Sequence, residues 1–260
     1  MLFDSHCHLD APEFDDDRAA VVSRARAAGV RWQLVPGTHR DEWPALREAC
    51  AADAGLHAAY GLHPTFLVHH RPADLDALAD WVARERPAAI GECGLDFCVE
   101  GLDRDAQQRY FEGQLELARE TGLPLVVHAR RAVEAVIHAI RRIGGAGRVR
   151  GVVHSYAGSE EQARQLHGLG FLIGIGGPVT YARAKRMHRV VAAAPLEQLL
   201  LETDAPDQPD CAHRGQRNEP ARIVAVCEAV ARLREAAPAE VAAATTRNAA
   251  QLFGIGVEGD

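Results

Sequence analysis

Aromatic residues make up only 5% of this 260-residue chain, which leaves few rings for the base-stacking platforms of single-strand-binding surfaces. Positive charge is not in excess: 29 basic residues face 36 acidic ones, for a formal net charge of −7. This excludes broad, sequence-independent coating of duplex DNA by a basic surface. It does not exclude a nucleic-acid substrate, because bound cations can supply positive charge locally. No apolar run approaches the ~20 residues of a membrane span, so no membrane association is expected. The cysteines, Cys7, Cys50, Cys93, Cys98, Cys211 and Cys227, form no Cys-x-x-Cys, and no signal peptide is visible. They read as free thiols in a reducing cytoplasm. Low-complexity tracts and linker-like breaks are missing, so residues 1–260 are expected to form a single domain. Lysine is nearly missing as well, Lys185 being the sole one among the 29 basic residues.

Short apolar runs recur along the chain: Leu2–His8, Trp32–Gly37, His57–His63, Ala88–Leu95, Pro124–His128, Gly151–His154, Phe171–Gly177 and Gln198–Asp204. Amphipathic, helix-like stretches alternate with them, over 15–28, 41–52, 74–86, 104–120, 132–143, 159–168, 180–193 and 218–236. A further helix is expected over 238–252, opened by Pro238 and closed near Gly254. Strict strand–helix alternation predicts a parallel sheet. Eight such units in about 250 residues fit a closed (β/α)8 TIM barrel better than an open doubly wound sheet.

The chemically useful residues sit at the C-terminal ends of these runs. The first run ends in His6-Cys7-His8, and strand alternation would put Asp4, His6, His8 and Asp10 on one face, with Phe3, Cys7 and Leu9 on the other. Other runs end in Gly61-Leu62-His63, Gly91-Glu92-Cys93, Val127-His128, Val153-His154 and Glu202-Thr203-Asp204. One histidine ending an apolar strand is compatible with a solvated strand end; metal-ligand residue types at so many converging strand ends are not so easily explained. In a barrel these ends meet on one face, where barrel chemistry is built. Four imidazoles and two carboxylates suit Zn²⁺ or Mn²⁺, and Mg²⁺ less ideally. That is about the ligand count of two divalent ions sharing a bridging carboxylate ~3.5–4 Å apart, with a metal-bridging hydroxide as nucleophile.

These residues carry a resemblance. The stretches Asp4-Ser5-His6-Cys7-His8-Leu9-Asp10, Gly61-Leu62-His63-Pro64, Ile90-Gly91-Glu92-Cys93-Gly94-Leu95-Asp96, Val127-His128-Ala129-Arg130, Val153-His154-Ser155, Leu201-Glu202-Thr203-Asp204-Ala205-Pro206 and Arg217-Asn218-Glu219-Pro220 are similar, in order, to those of the TatD-like metal-dependent hydrolases, or TatD-related deoxyribonucleases, of the amidohydrolase superfamily. The wording around Asp204 is most similar to the YjjV-like branch. The resemblance implies that His6, His8 and Asp204 hold a first divalent ion, His128 and His154 a second, and that Glu92 bridges them. It implies Asp204 as general base, and 3′-to-5′ exonuclease cleavage of DNA phosphodiesters. Many superfamily relatives bridge their metals with a carboxylated lysine; Lys185 lies in the helix expected after the seventh strand and cannot do so, which leaves Glu92. Ser155-Tyr156 departs from the family's usual Cys or Gly then Phe.

His63 and Arg130 are candidate substrate-phosphate contacts, and Glu202, one layer deeper than Asp204, a candidate for holding a ligand imidazole. The loop 205–220, with His213, Arg214, Arg217 and Asn218, is expected on the active face. The remaining histidines, among them His39 and His69, read as surface or core residues. The expected substrate is DNA, single-stranded or at frayed ends, with no obligate protein partner. The alternative is a small-molecule amidohydrolase, lactonase or esterase using the same two ions.

Overall fold

The computed structural model describes residues 1–145 and 147–257. Among these, eight parallel strands lie in sequence order: β1 (Leu2–Asp4), β2 (Val30–Pro36), β3 (Leu56–Tyr60), β4 (Ala89–Asp96), β5 (Leu125–Arg130), β6 (Gly151–Val153), β7 (Phe171–Ile175) and β8 (Leu199–Leu201). The helices between them are α1 (Arg18–Ala27), α2 (Trp43–Ala51), α3 (Asp74–Glu85), α4 (Arg104–Thr121), α5 (Val133–Ala139), α6 (Glu160–Gly168) and α7 (Lys185–Ala193). After β8 come α8 (Ile223–Arg234) and α9 (Pro238–Phe253). This is the expected (β/α)8 barrel.

Local chemistry sets several boundaries. The Asp103 carboxylate accepts from the Asp105 and Ala106 N–H groups to start α4, which Gly122 closes in the left-handed region. Ser159 and Gln162 form a reciprocal capping box on α6. The expected helix 180–193 starts only at Lys185, because Thr180 ends a short 3-10 turn and its hydroxyl accepts from Cys211 N–H at 2.8 Å. The expected helix 218–236 starts at Ile223, after a 3-10 turn opened by Pro220.

Two apolar cores follow from strand alternation. The larger fills the layer between strands and helices. The smaller runs along the barrel axis, from Phe3, Leu34, Ala59, Ala89, Val126, Val152 and Leu200 to Ala249, Leu252 and Phe253 of α9. Asn248 on α9 donates to the Leu196 and Leu199 carbonyls at the start of β8, so this helix plugs the N-terminal mouth. The lower barrel is therefore lined mainly by apolar side chains, with the His57 ring stacked on Phe3 at 6.4 Å.

The first run departs from its expected geometry. β1 ends at Asp4, and its register with β2 shifts between Leu2 and Phe3. Because strand alternation stops at Asp4, Phe3 lies in the axial core while Cys7 and Leu9 lie in the outer one, and the three do not share the expected face. Beyond Asp4 the chain serves the barrel seam. Ser5 N–H donates to Leu201 O at 3.0 Å and Asp204 N–H to His6 O at 2.9 Å. The buried Asp4 carboxylate accepts from Thr203 N–H at 3.0 Å, Thr203 Oγ1 at 2.6 Å and His6 N–H at 3.3 Å.

Phe253→Ala removes the ring that stacks on Phe3 at 5.9 Å. It is expected to cost about 3 kcal/mol, read in urea melts, and to leave metal content unchanged. A variant that loses its metal while keeping its melting midpoint would contradict this division of the barrel.

Candidate metal centre

Glu92 is only 2% exposed. A bulge aims it: Ile90 pairs with Leu125 and Cys93 with Val127, so three steps along β4 match two along β5. Gly91 stands in this bulge at φ +145°, where a Cβ would lie 2.6 Å from the Val126 carbonyl oxygen, so only glycine fits.

The two oxygens of Glu92 face different partners. Oε2 lies 3.3 Å from His6 Nε2 and 3.5 Å from His8 Nε2. Asp204 Oδ1 lies 3.4 and 3.7 Å from the same two nitrogens. Oε1 lies 2.8 Å from His154 Nε2, 2.9 Å from His63 Nε2 and 3.0 Å from His128 Nδ1. Ring nitrogens also converge, His6 Nε2 on His8 Nε2 at 3.1 Å and His128 Nδ1 on His154 Nε2 at 3.2 Å. Convergent imidazole nitrogens around carboxylates are a donor set that fits borderline divalent ions. The expected candidates His6, His8, Glu92, His128, His154 and Asp204 are thus brought together, as is His63.

Neighbouring groups decide which nitrogen His128, His8 and His63 present. His128 Nε2 pairs with Asp96 Oδ2 at 2.9 Å, which turns Nδ1 inward. His8 Nδ1 donates to Pro36 O at 3.2 Å, leaving Nε2 for the centre. His63 Nδ1 accepts from Thr65 N–H at 3.2 Å, so its proton sits on Nε2. His154 Nδ1 faces Glu202 Oε1 at 3.9 Å, beyond hydrogen-bond reach, and that oxygen accepts from Ser155 N–H instead. Room for the buried Glu202 comes from β7: a Cβ on Gly174 would lie 2.1 Å from Glu202 Oε2. Gln208 Nε2 donates to Asp204 Oδ2, and Gln208 Oε1 accepts from Ser155 Oγ at 2.9 Å.

Other expected residues fall elsewhere. Arg130 ends β5 exposed and makes no ion pair with the cluster among the described residues. Asp4 is spent on the seam, and Asp10 joins no group of metal-ligand type. The loop 205–220 does cover this mouth. Asn218 Nδ2 ties it to Thr203 O and Asp207 O at 2.9 and 2.8 Å, and Arg217 pairs with Asp17 at 2.8 Å. Lys185 is exposed on α7. Sequence reasoning missed Asp96, Gln208 and the seam role of Asp4. Asp96 carried a usable signal: Glu92, Gly94 and Asp96 alternate along one strand.

Charge is shared unevenly among the side chains of the cluster. Burial opposes ionisation of Glu92, but His63, His154 and His6 hold its carboxyl well below the usual range. Burial would lower His8 and His154, yet Glu92 outweighs it and raises them to about 9 and about 10. His6 is pushed down to about 4 by burial and by His154. Burial raises Glu202 to about 8.

A family model described as TatD related DNase matches residues 3–254. The chain is 38% identical over 255 residues to the metal-dependent hydrolase YabD of Bacillus subtilis (strain 168), covering 98% of this chain and 100% of that protein. It is 34% identical over 269 residues to the protein named 3′-5′ ssDNA/RNA exonuclease TatD of Klebsiella pneumoniae (strain 342), covering 99% and 100%. The crystal structure of YjjV, a TatD homolog from Escherichia coli K12, superposes with a TM-score of 0.93 at 36% identity over 98% of each chain.

Since His8 and His154 are raised above neutrality, both carry protons at pH 7 in the ion-free protein, and a cation must displace them. Binding at pH 7 is expected to release protons, those of His8 and His154 among them, and to strengthen as pH rises. Calorimetry in buffers of different ionisation enthalpy measures this; a buffer-independent heat would refute it. Gly174→Ala is expected to destabilise by about 1–3 kcal/mol through the clash with Glu202. Gly168→Ala, with nothing within 4 Å of the added carbon, serves as a control and stays within about 1 kcal/mol in the same thermal melts.

Proposed function

Because the chain belongs to the TatD-related DNase family of metal-dependent hydrolases, we propose that it hydrolyses DNA phosphodiester bonds from the 3′ end, acting on single strands or frayed ends. The observation that carries this reading is the division of Glu92, with one oxygen towards His6 and His8 and the other towards His128 and His154. Such a carboxylate suits two divalent ions (Mg²⁺, Mn²⁺ or Zn²⁺), the first held by His6, His8 and Asp204, the second by His128 and His154, with Glu92 shared. Bound there, the cations would acidify water and take up charge on the phosphoryl oxygens.

The remaining steps belong to the side chains. Asp204 accepts the proton of the attacking water, and Gln208 keeps its carboxylate turned to the centre. As the water oxygen bonds to phosphorus, the bond from phosphorus to the 3′ oxygen breaks and that oxygen takes up a proton. His63, whose Nε2 proton faces Glu92 Oε1 at 2.9 Å, would turn that proton to a phosphoryl oxygen once a cation takes up Oε1. Arg130, exposed on the rim, contacts the phosphate of a strand lying across it. Glu202, 3.9 Å from His154 Nδ1, would take that N–H and orient the ring when His154 Nε2 holds a cation. The exonuclease name of the Klebsiella pneumoniae relative supports a nucleic-acid substrate. The net charge of −7 fits a site that relies on bound cations rather than a basic groove. Six free cysteines fit a reducing cytoplasm.

The test is metal-reconstituted protein against end-labelled single-stranded and duplex DNA, with an ester and lactone panel alongside. Stepwise shortening from the 3′ end is expected, and Asp204→Asn should slow it by about 10²- to 10⁴-fold with the fold intact. Turnover of a lactone or ester without DNA cleavage would replace the nuclease reading, and an Asp204→Asn enzyme of normal rate would remove Asp204 as the base.

A further inference from the structure

The loops following β2 and β3 meet beside the centre, where His63 N–H donates to Thr38 O at 2.8 Å. On that rim His39, Asp41 and His69 each bring a ligand atom to within 4.8 Å of the others. None of the three belongs to the cluster around Glu92.

The ring of His39 is set in place from two sides. It is 7% exposed and stacks on Phe66 at 5.4 Å, with 13° between planes, and on His69 at 4.5 Å, with 27°. His39 Nδ1 lies 3.0 Å from Thr38 Oγ1 and 3.1 Å from Glu42 Oε2. Thr38 Oγ1 in turn donates its only hydrogen to the same Glu42 oxygen, at 2.6 Å. The hydroxyl and the carboxylate can therefore only accept from His39, so Nδ1 carries the proton and the lone pair is on Nε2. A carboxylate that fixes the tautomer of an imidazole in this way is the usual support of a metal-ligating histidine. Asp41 and His69 are exposed, so their ligand atoms can meet an ion arriving from solvent.

We propose that His39, Asp41 and His69 form a separate divalent-cation site on the rim, held in readiness by Thr38 and Glu42. Two imidazoles and one carboxylate select a zinc-class ion over Mg²⁺ or Ca²⁺. Three protein ligands leave a coordination position open to water or to an anionic group from solvent. The site rests on its own residues and not on the nuclease reading.

The experiment is zinc content by mass spectrometry, with calorimetric Zn²⁺ titration, of the full chain and its variants. His69→Ala and Asp41→Asn, both at exposed positions, should each bind one Zn²⁺ fewer per chain than wild type, with unchanged circular dichroism. Glu42→Gln should keep the site but weaken it about 10-fold or more. Because each comparison keeps the central residues intact, the difference of one ion stands whether the centre takes one ion or two. Glu92→Gln should weaken binding at the centre and retain the step that His69→Ala abolishes. Zinc content and titration curves equal to wild type in both His69→Ala and Asp41→Asn would overturn the site, as would loss of the same step in Glu92→Gln.

Discussion

Burying an ionised carboxylate costs several kcal/mol unless partners surround it, and Glu92 is buried on the barrel axis. Its compensation comes from five imidazoles supplied by four other segments, none adjacent to it in sequence. Much of the architecture serves that meeting. Parallel strands deliver their C-terminal ends to one mouth, the bulge in β4 aims the carboxyl, and α9 seals the opposite mouth with apolar side chains. Without ions the imidazoles compete for protons, as the opposite displacements of His6 and His154 record. The positive charge that balances Glu92 thus sits on His8 and His154 as protons, which an arriving cation would replace.

The second constraint is closure. His6 and His8 come from the start of the chain and Asp204 from nearly two hundred residues later, so their approach depends on the β1–β8 seam. That seam is completed partly by a side chain: Asp4 binds Thr203 through both its N–H and its hydroxyl, and holds His6 N–H as well. One carboxylate is used to position another. Burial raises Asp4 to about 7, and the hydrogen bonds from Thr203 and His6 oppose that rise. The loop 205–220 continues the logic, since Asn218 anchors it to Thr203 and Gln208 returns to Asp204.

What was legible in the sequence was the set of residues whose meaning is local. An apolar run with a histidine or carboxylate at its end announces a strand and a site at once, so the barrel and the seven clustered residues could be read from hydropathy and position. Less legible was anything that depends on register between strands. Strand alternation stops after Asp4, so Phe3 faces the axis while Cys7 and Leu9 face the helices, and no periodicity in Met1-Leu2-Phe3-Asp4 reveals it. Asp4 had the same residue type as a ligand, and only its proximity to Thr203 assigns it to the seam. His39 and His69 looked like unrelated surface or core residues because their nearness arises from two loops that only the barrel brings side by side.

Asp96 shows how a missed residue changes the chemistry rather than adding detail. Gly94 pairs with His128 and Asp96 with Arg130, so the Asp96 side chain stands one pleat beyond Glu92 and Gly94 on the same strand face. From there it takes His128 Nε2, while Cys98 and Val99 N–H groups fix its other oxygen at 2.7 and 3.0 Å. A ring held this way can only present Nδ1 to Glu92, whereas His154 presents Nε2 and makes no hydrogen bond through Nδ1 among the described residues. The two histidines facing Glu92 Oε1 therefore approach it with different ring atoms and different leverage. β4 thus carries both the shared carboxylate and the brace of one of its partners, so a shift in its register would displace the two together.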